Sequence, residues 1–217
     1  MTPETIDPDR IGPELSLEGV ALPPTVGERI GQLFGTDERP RTVADWMTVT
    51  RATLGDSYDR QPTVEDLCTS DDGAHTFVGE SGDGAGNDSD GDDASQSYVC
   101  VLDPLAYPFL VDEPGTVHSE TPVRENEVVF EVGRDGVTVT PGDAVVSVGV
   151  SDHVDAIETV TFETVYRQVC GYIHAFEDEA EYEQWAGEVE AATTSLPAEE
   201  GVALAREIAV TLFDAER

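Results

Sequence analysis

The chain contains no lysine. All eleven of its basic residues are arginine, set against 46 acids, for a formal net charge of −35 over 217 residues. Contacts to nucleic-acid phosphates need basic side chains gathered in a patch. Here Arg39, Arg41 and Arg51 are interleaved with Asp37, Glu38 and Asp45. Nucleic acid is therefore not an expected partner. Long apolar runs are missing too. No stretch approaches the roughly 20 apolar residues of a transmembrane helix, so no membrane partner is expected. The segment Met1–Asp7 has neither the positive start nor the apolar stretch of a secretory signal, and the expected location is the cytoplasm.

Cysteine is scarce. There are three, at positions 68, 100 and 170, and three cannot all pair within one chain. Free thiols in a reducing compartment are the expectation. No Cys-x-x-Cys pair is present, which removes zinc knuckles and thioredoxin-type motifs. No His-x-x-x-His pair and no glycine-rich loop between a strand and a helix occurs either, so a phosphate-cradling site is not expected.

What is abundant is acid, spread over the whole length. Such an excess keeps a protein hydrated in concentrated salt, and the composition reads as that of a halophile's cytosolic protein. At 1 M salt the Debye length is only about 3 Å, so the charge describes habitat more than long-range steering.

The pattern along the chain implies an α+β fold, with helices first, then mostly antiparallel strands, then helices. Residues 1–79 read as a small helical unit, winged-helix-like at best. In it Val26, Ile30, Leu33 and Phe34 recur at helical spacing and Gly35 follows as a stop. A second helix starts after Thr42, with Asp45 three residues on in a capping-box position. Residues 80–97 are a Gly/Asp/Ser tract without an apolar anchor, which reads as a disordered loop. A calcium loop is the sharper alternative, but the full ligand pattern with its closing Glu is absent. Residues 98–217 form the remaining domain. Ser97–Leu102 reads as a strand, followed by valine-rich strands at 126–132, 137–140 and 144–150. Asp135-Gly136 marks a hairpin. Thr159–His174 alternates loosely, 179–192 reads as a helix, and Pro197 opens a last amphipathic helix.

Two cysteines stand in apolar surroundings. Tyr98-Val99-Cys100-Val101-Leu102-Asp103 sets a thiol three residues from a carboxylate, and Val169-Cys170-Gly171-Tyr172-Ile173-His174 carries the second thiol. Thiolates select soft metals, and a neighbouring carboxylate can move a proton. The residues alone leave alternatives open. Buried cysteine is often a small hydrophobe, Asp103-Pro104 is a common way to open a turn, and His174 has the makings of a structural histidine. The role of Cys68 stays open, as do those of His75, His118 and His153.

The segment Cys100-Val-Leu-Asp103-Pro-Leu-Ala-Tyr-Pro108 resembles the active-site segment of the organomercurial (alkylmercury) lyases, which have Cys-x-x-Asp with a proline five residues after the acid. The run Arg167–Phe176 with Glu183-Gln184-Trp185 resembles the second cysteine segment of that family, with a histidine four residues after the thiol and a Trp in the next helix. The resemblance spans residues 98–185 and implies a halophilic, archaeal-type member. It carries Cys100, Asp103 and Cys170 onto the catalytic positions, with Cys100, Cys170 and Asp103 as the groups around substrate and product mercury. The implied reaction is protonolysis of a carbon–mercury bond, giving a hydrocarbon and Hg²⁺. No resident cofactor is implied, only cellular thiols as co-reactants, with hand-over of Hg²⁺ to mercuric reductase or small thiols. Two departures stand out. The further structural cysteine of the family has no counterpart in Val117–Thr121, and its paired Cys-Cys is Cys170-Gly171 here. The alternative is a non-catalytic soft-metal binder for mercury or copper using the same two thiols. A metal-sensing, DNA-binding regulator is a third reading. Asp103 separates the first two, since storage needs no proton donor.

Overall fold

The computed structural model describes residues 11, 15–57, 62–79, 96–154 and 160–213. The Met1–Asp7 segment, read as lacking a secretory signal, and most of the 80–97 tract lie outside them.

Helix α1 (Pro24–Phe34) begins with Pro in its first turn, where the missing amide costs nothing. It ends on Gly35 in the left-handed conformation, φ 63°. Eleven residues are too few for a stable isolated helix, so burial of Val26, Ile30, Leu33 and Phe34 must supply the rest. Each such side chain contributes about 1.5–3 kcal/mol. Helix α2 (Val43–Ser57) is capped as its sequence implies. The Asp45 amide donates to Thr42 Oγ1 at 3.0 Å, and Asp45 Oδ2 accepts the amides of Thr42 and Arg41 at 3.0 and 2.9 Å.

Two antiparallel sheets follow, which makes the fold α+β. The first has the order β2-β1-β3-β4-β5, built from β1 (His75–Gly79), β2 (Gln96–Tyr98), β3 (Gly115–Glu120), β4 (Glu127–Gly133) and β5 (Gly136–Thr140). The second has the order β7-β6-β8, with β6 (Val145–Ser151) between β7 (Ala175–Phe176) and β8 (Ala191–Pro197). Every residue of β6 is buried, because α1 and the last helix, α6 (Ala198–Leu212), pack against it. Helices α1, α2 and α6 share one continuous core with both cysteine segments.

Several sequence expectations change. The strand expected at 97–102 stops at Tyr98, and helix α3 (Leu102–Val111) starts in its place. Asp103-Pro104 therefore opens a helix, since Pro fits the first turn. The segment expected to alternate over 159–174 holds helix α4 (Phe162–Gln168) and a 3₁₀ turn, Cys170–Tyr172. Thr161 caps α4, its Oγ1 accepting the Thr164 amide at 3.2 Å. The helix expected over 179–192 is shorter, α5 (Glu179–Ala186), and its tail becomes β8. Residues 75–79, assigned to the helical unit, are strand β1, and residues 96–97 of the acidic tract belong to β2. Among the described residues no helix is long and apolar enough to cross a membrane.

Candidate active site

Main-chain bonds bring three cysteine segments together. Residues 67–70 run along β2: the Ser70 amide donates to the Ser97 carbonyl at 2.9 Å, and Thr69 bridges Tyr98. The Val99 amide then donates to the Cys68 carbonyl at 3.1 Å. Two residues on, the Val101 amide donates to the Ile173 carbonyl at 3.3 Å. Cys100 sits between these two bonds, at the bend from β2 into α3. Its neighbours Cys68 and Cys170 are thus positioned by backbone, not by chance packing.

Cys170 lies on the 3₁₀ turn, which β6 holds from below. Ser147 Oγ donates to the Tyr172 carbonyl at 3.0 Å and accepts the His174 amide at 2.9 Å. Gly149 leaves room for this turn, because a Cβ there would stand 3.0 Å from the Tyr172 Cβ and 2.8 Å from Thr193 Cγ2. The His174 ring donates from Nε2 to the Gly171 carbonyl at 3.0 Å, which leaves Nδ1 as the bare nitrogen of the neutral ring. It meets Trp185 edge-on, with ring centroids 5.4 Å apart. Burial holds the His174 pKa below its ordinary value, against the opposing hydrogen bond to Gly171.

Asp103, in the first turn of α3, faces the sulfurs. Its Oδ2 accepts the Cys68 amide at 3.1 Å. Its carboxylate also accepts from the thiols of Cys100 and Cys68. Burial pushes the carboxyl up to about 6, over the opposing pull of those three donors. The Cys170 thiol interacts with those of Cys100 and Cys68. Those two interactions, with burial, hold Cys170 protonated well above the usual thiol range. At Cys100 the bond from Cys170 favours the thiolate, but burial and the charges of Asp103 and Cys68 outweigh it, so its pKa also rises. Both buried thiols are thus held above the usual thiol range and keep their protons in the free protein.

The structure therefore gathers Cys100, Asp103 and Cys170 into one cluster. It adds Cys68, which the sequence leaves without a role. Cys100 and Cys170 are buried and Cys68 is half-buried. His118 pairs with Glu127 at 3.1 Å and His153 with Glu190 at 3.3 Å, both on the surface. His75 is fully buried, its Nδ1 2.6 Å from Ser119 Oγ, with its ring centroid 6.0 Å from that of His174. Among the described residues, no group of three or more His, Cys, Asp or Glu side chains is arranged to hold a metal ion.

Residues 91–210, more than half of the chain, match the family model of MerB, alkylmercury lyase. The chain belongs to the alkylmercury lyase family. A solved structure described as the mercury-bound form of MerB2 is similar over 64% of this chain and 59% of its own length, with 12% identity and a TM-score of 0.45. This chain thus spans about three fifths of the length of that protein. No curated protein matches the sequence. Both cysteine segments and all of the secondary structure from β2 to most of α6 fall within the matched residues. Cys68 falls outside them.

Proposed function

We propose that this protein is an alkylmercury lyase that cleaves the carbon–mercury bond of organomercurials by protonolysis, releasing a hydrocarbon and Hg²⁺. The observation that carries this reading is a buried carboxyl, raised to about 6, that stands beside the buried Cys100 thiol and holds the Cys68 amide at 3.1 Å. A carboxyl near that value both takes and returns a proton at neutral pH. A storage site has no use for one.

The roles follow from the proton inventory. Cys100 gives its proton to Asp103 and captures R–Hg⁺ as the thiolate, the form that binds metal. Cys170 then adds its sulfur to mercury, its proton leaving on the small carrier thiolate that the substrate gives up, and the second sulfur raises electron density on the metal and weakens the bond to carbon. Asp103 delivers the proton to the leaving carbon. The hydrocarbon departs, and Hg²⁺ remains on the two sulfurs. Burial excludes water and keeps the proton on its short path between the thiols and the carboxylate.

No resident cofactor enters this scheme; small cellular thiols deliver the substrate and take the product, with mercuric reductase as a further recipient. The excess of 46 acids over eleven arginines favours work in concentrated salt in the cytoplasm of a halophile. The test is incubation of the purified protein with methylmercury or phenylmercury and excess thiol in molar salt, with methane or benzene measured. Release of hydrocarbon supports the lyase. Mercury binding without hydrocarbon supports the alternative, a soft-metal binder, and overturns the proposal.

A further inference from the structure

We propose, resting on the lyase reading of the same site, that Cys68 is a third mercury ligand, the thiol through which Hg²⁺ leaves the buried pair. Three observations lead there. The thiols of Cys68 and Cys100 both act on that of Cys170, and the Cys68 amide rests on Asp103 Oδ2 at 3.1 Å, which sets Cys68 beside the catalytic groups. Cys68 is the half-buried member while Cys100 and Cys170 are buried, so the three form a gradient from core to surface. The position of Cys68 is also built in. Its carbonyl accepts from Val99, its amide donates to Asp103, and the next residue bridges Tyr98.

The chemistry needs such a residue. A mercury ion held by two thiolates leaves by exchange, in which a third sulfur bonds before one of the first two departs. A small thiol in solution has poor access to a buried pair. Cys68 supplies the entering sulfur from inside the protein. Protonolysis leaves Asp103 as the carboxylate, which already accepts the Cys68 amide. Cys68 passes its proton to Asp103 as its Hg–S bond forms. The Hg–S bond to Cys170 breaks, and the Cys170 thiolate takes the proton from Asp103. One Hg–S bond forms and one breaks, one proton moves from Cys68 to Cys170, and nothing is oxidised or reduced. The ion then sits on Cys100 and the more accessible Cys68, where an external thiol reaches it.

Two measurements with inorganic Hg²⁺ test this independently of turnover. In the first, wild type and Cys68→Ser are loaded with one equivalent of Hg²⁺, and transfer to dithiothreitol is timed. Serine keeps the backbone amide that holds Asp103, so the variant removes only the sulfur. Transfer is expected to slow by on the order of tenfold or more. In the second, the sulfurs around mercury are counted by X-ray absorption. Cys170→Ser is expected to keep two, from Cys100 and Cys68, and the Cys68→Ser/Cys170→Ser double variant to keep one. Wild-type transfer rates in Cys68→Ser, or a single sulfur in Cys170→Ser, would overturn the assignment. If Cys170→Ser does not fold, as judged by circular dichroism, the transfer rate alone decides. Failure of the lyase reading looks different: the sulfur counts and transfer rates hold, but wild type releases no hydrocarbon.

Discussion

Asp103 and Glu181 are two carboxylates withdrawn from water and held in opposite ways. Glu181 is fully buried, and each of its oxygens has a main-chain donor: the Arg124 amide to Oε1 and the Glu177 amide to Oε2, both at 2.9 Å. Beside it, the Arg124 guanidinium forks onto Asp178 at 2.9 and 3.2 Å and reaches Glu177 at 3.0 Å. Asp103 has one main-chain donor, and its other donors are thiols. Amide hydrogens do not exchange roles with the carboxylate they serve, whereas thiol protons do. Glu181 therefore ties the 124–126 turn to α5, while Asp103 is left able to trade protons. The same functional group serves as a fastener in one place and as a relay in the other, and the donors decide which.

Removing the thiols breaks the relay most completely. Cys100→Ser replaces a soft ligand by a hydroxyl and is expected to lower hydrocarbon release by about four orders of magnitude, measured as methane or benzene per folded protein. Retention of full activity would remove Cys100 from the mechanism.

Substituting the two carboxylates sets the comparison directly. Asp103→Asn removes the proton carrier and is expected to reduce turnover by about 10³. Its effect on stability has the opposite sign. The folded pKa, about 6, lies above the unfolded value near 3.8. Asp103 therefore favours folding only when protonated, and its contribution falls as pH rises from about 4 through about 6. At pH 7 the asparagine variant should be more stable by up to about 3 kcal/mol, read from denaturant midpoints at fixed salt. Glu181→Ala should do the reverse. It strands two part-buried amides, costing about 1–3 kcal/mol, while turnover per folded molecule stays near wild type. A destabilised Asp103→Asn or an inactive but stable Glu181→Ala would collapse the distinction between relay and fastener.

Much of this arrangement is legible before folding, but not all of it for the same reason. The Thr42–Asp45 cap, the valine strands β4 to β6 and the apolar stripe of α6 are local patterns, and local patterns survive into the structure. Strand β3 is not legible, because its inward residues are Gly115, Val117 and Ser119; two of the three carry no hydrophobic signal. Where the family has its extra cysteine, that strand instead buries Ser119 against His75. Helix α3 is masked by Pro104 and Pro108. The spacing of Cys100 and Asp103 is local and readable, while the approach of Cys170 is suggested only by the family resemblance. Cys68 reaches the site through main-chain bonds to Val99 and Tyr98, and backbone pairing leaves no side-chain pattern to read.

His75 supplies the smallest test, and it sharpens the reading of Asp103. The ring is buried between β2 and β3, with Nδ1 against Ser119 and Nε2 without a partner. Burial, with a smaller contribution from His174, holds its pKa down to about 3. An unfolded histidine takes up a proton near pH 6.5, so between about 6.5 and 3 the unfolded chain binds a proton that the folded chain refuses. Stability from His75 is present above pH 6.5 and is lost as pH falls, by about 2 kcal/mol at pH 5. Asp103 acts in the opposite direction between about 4 and 6, so in wild type the two contributions partly cancel there. The Asp103→Asn variant should expose the His75 slope, its stability falling more steeply than wild type from pH 6 to pH 4. A His75→Asn change added to it should flatten that slope. Equal slopes in wild type and Asp103→Asn, from urea titrations at matched salt, would mean that Asp103 titrates at its ordinary value and is not the raised carboxyl that the relay requires.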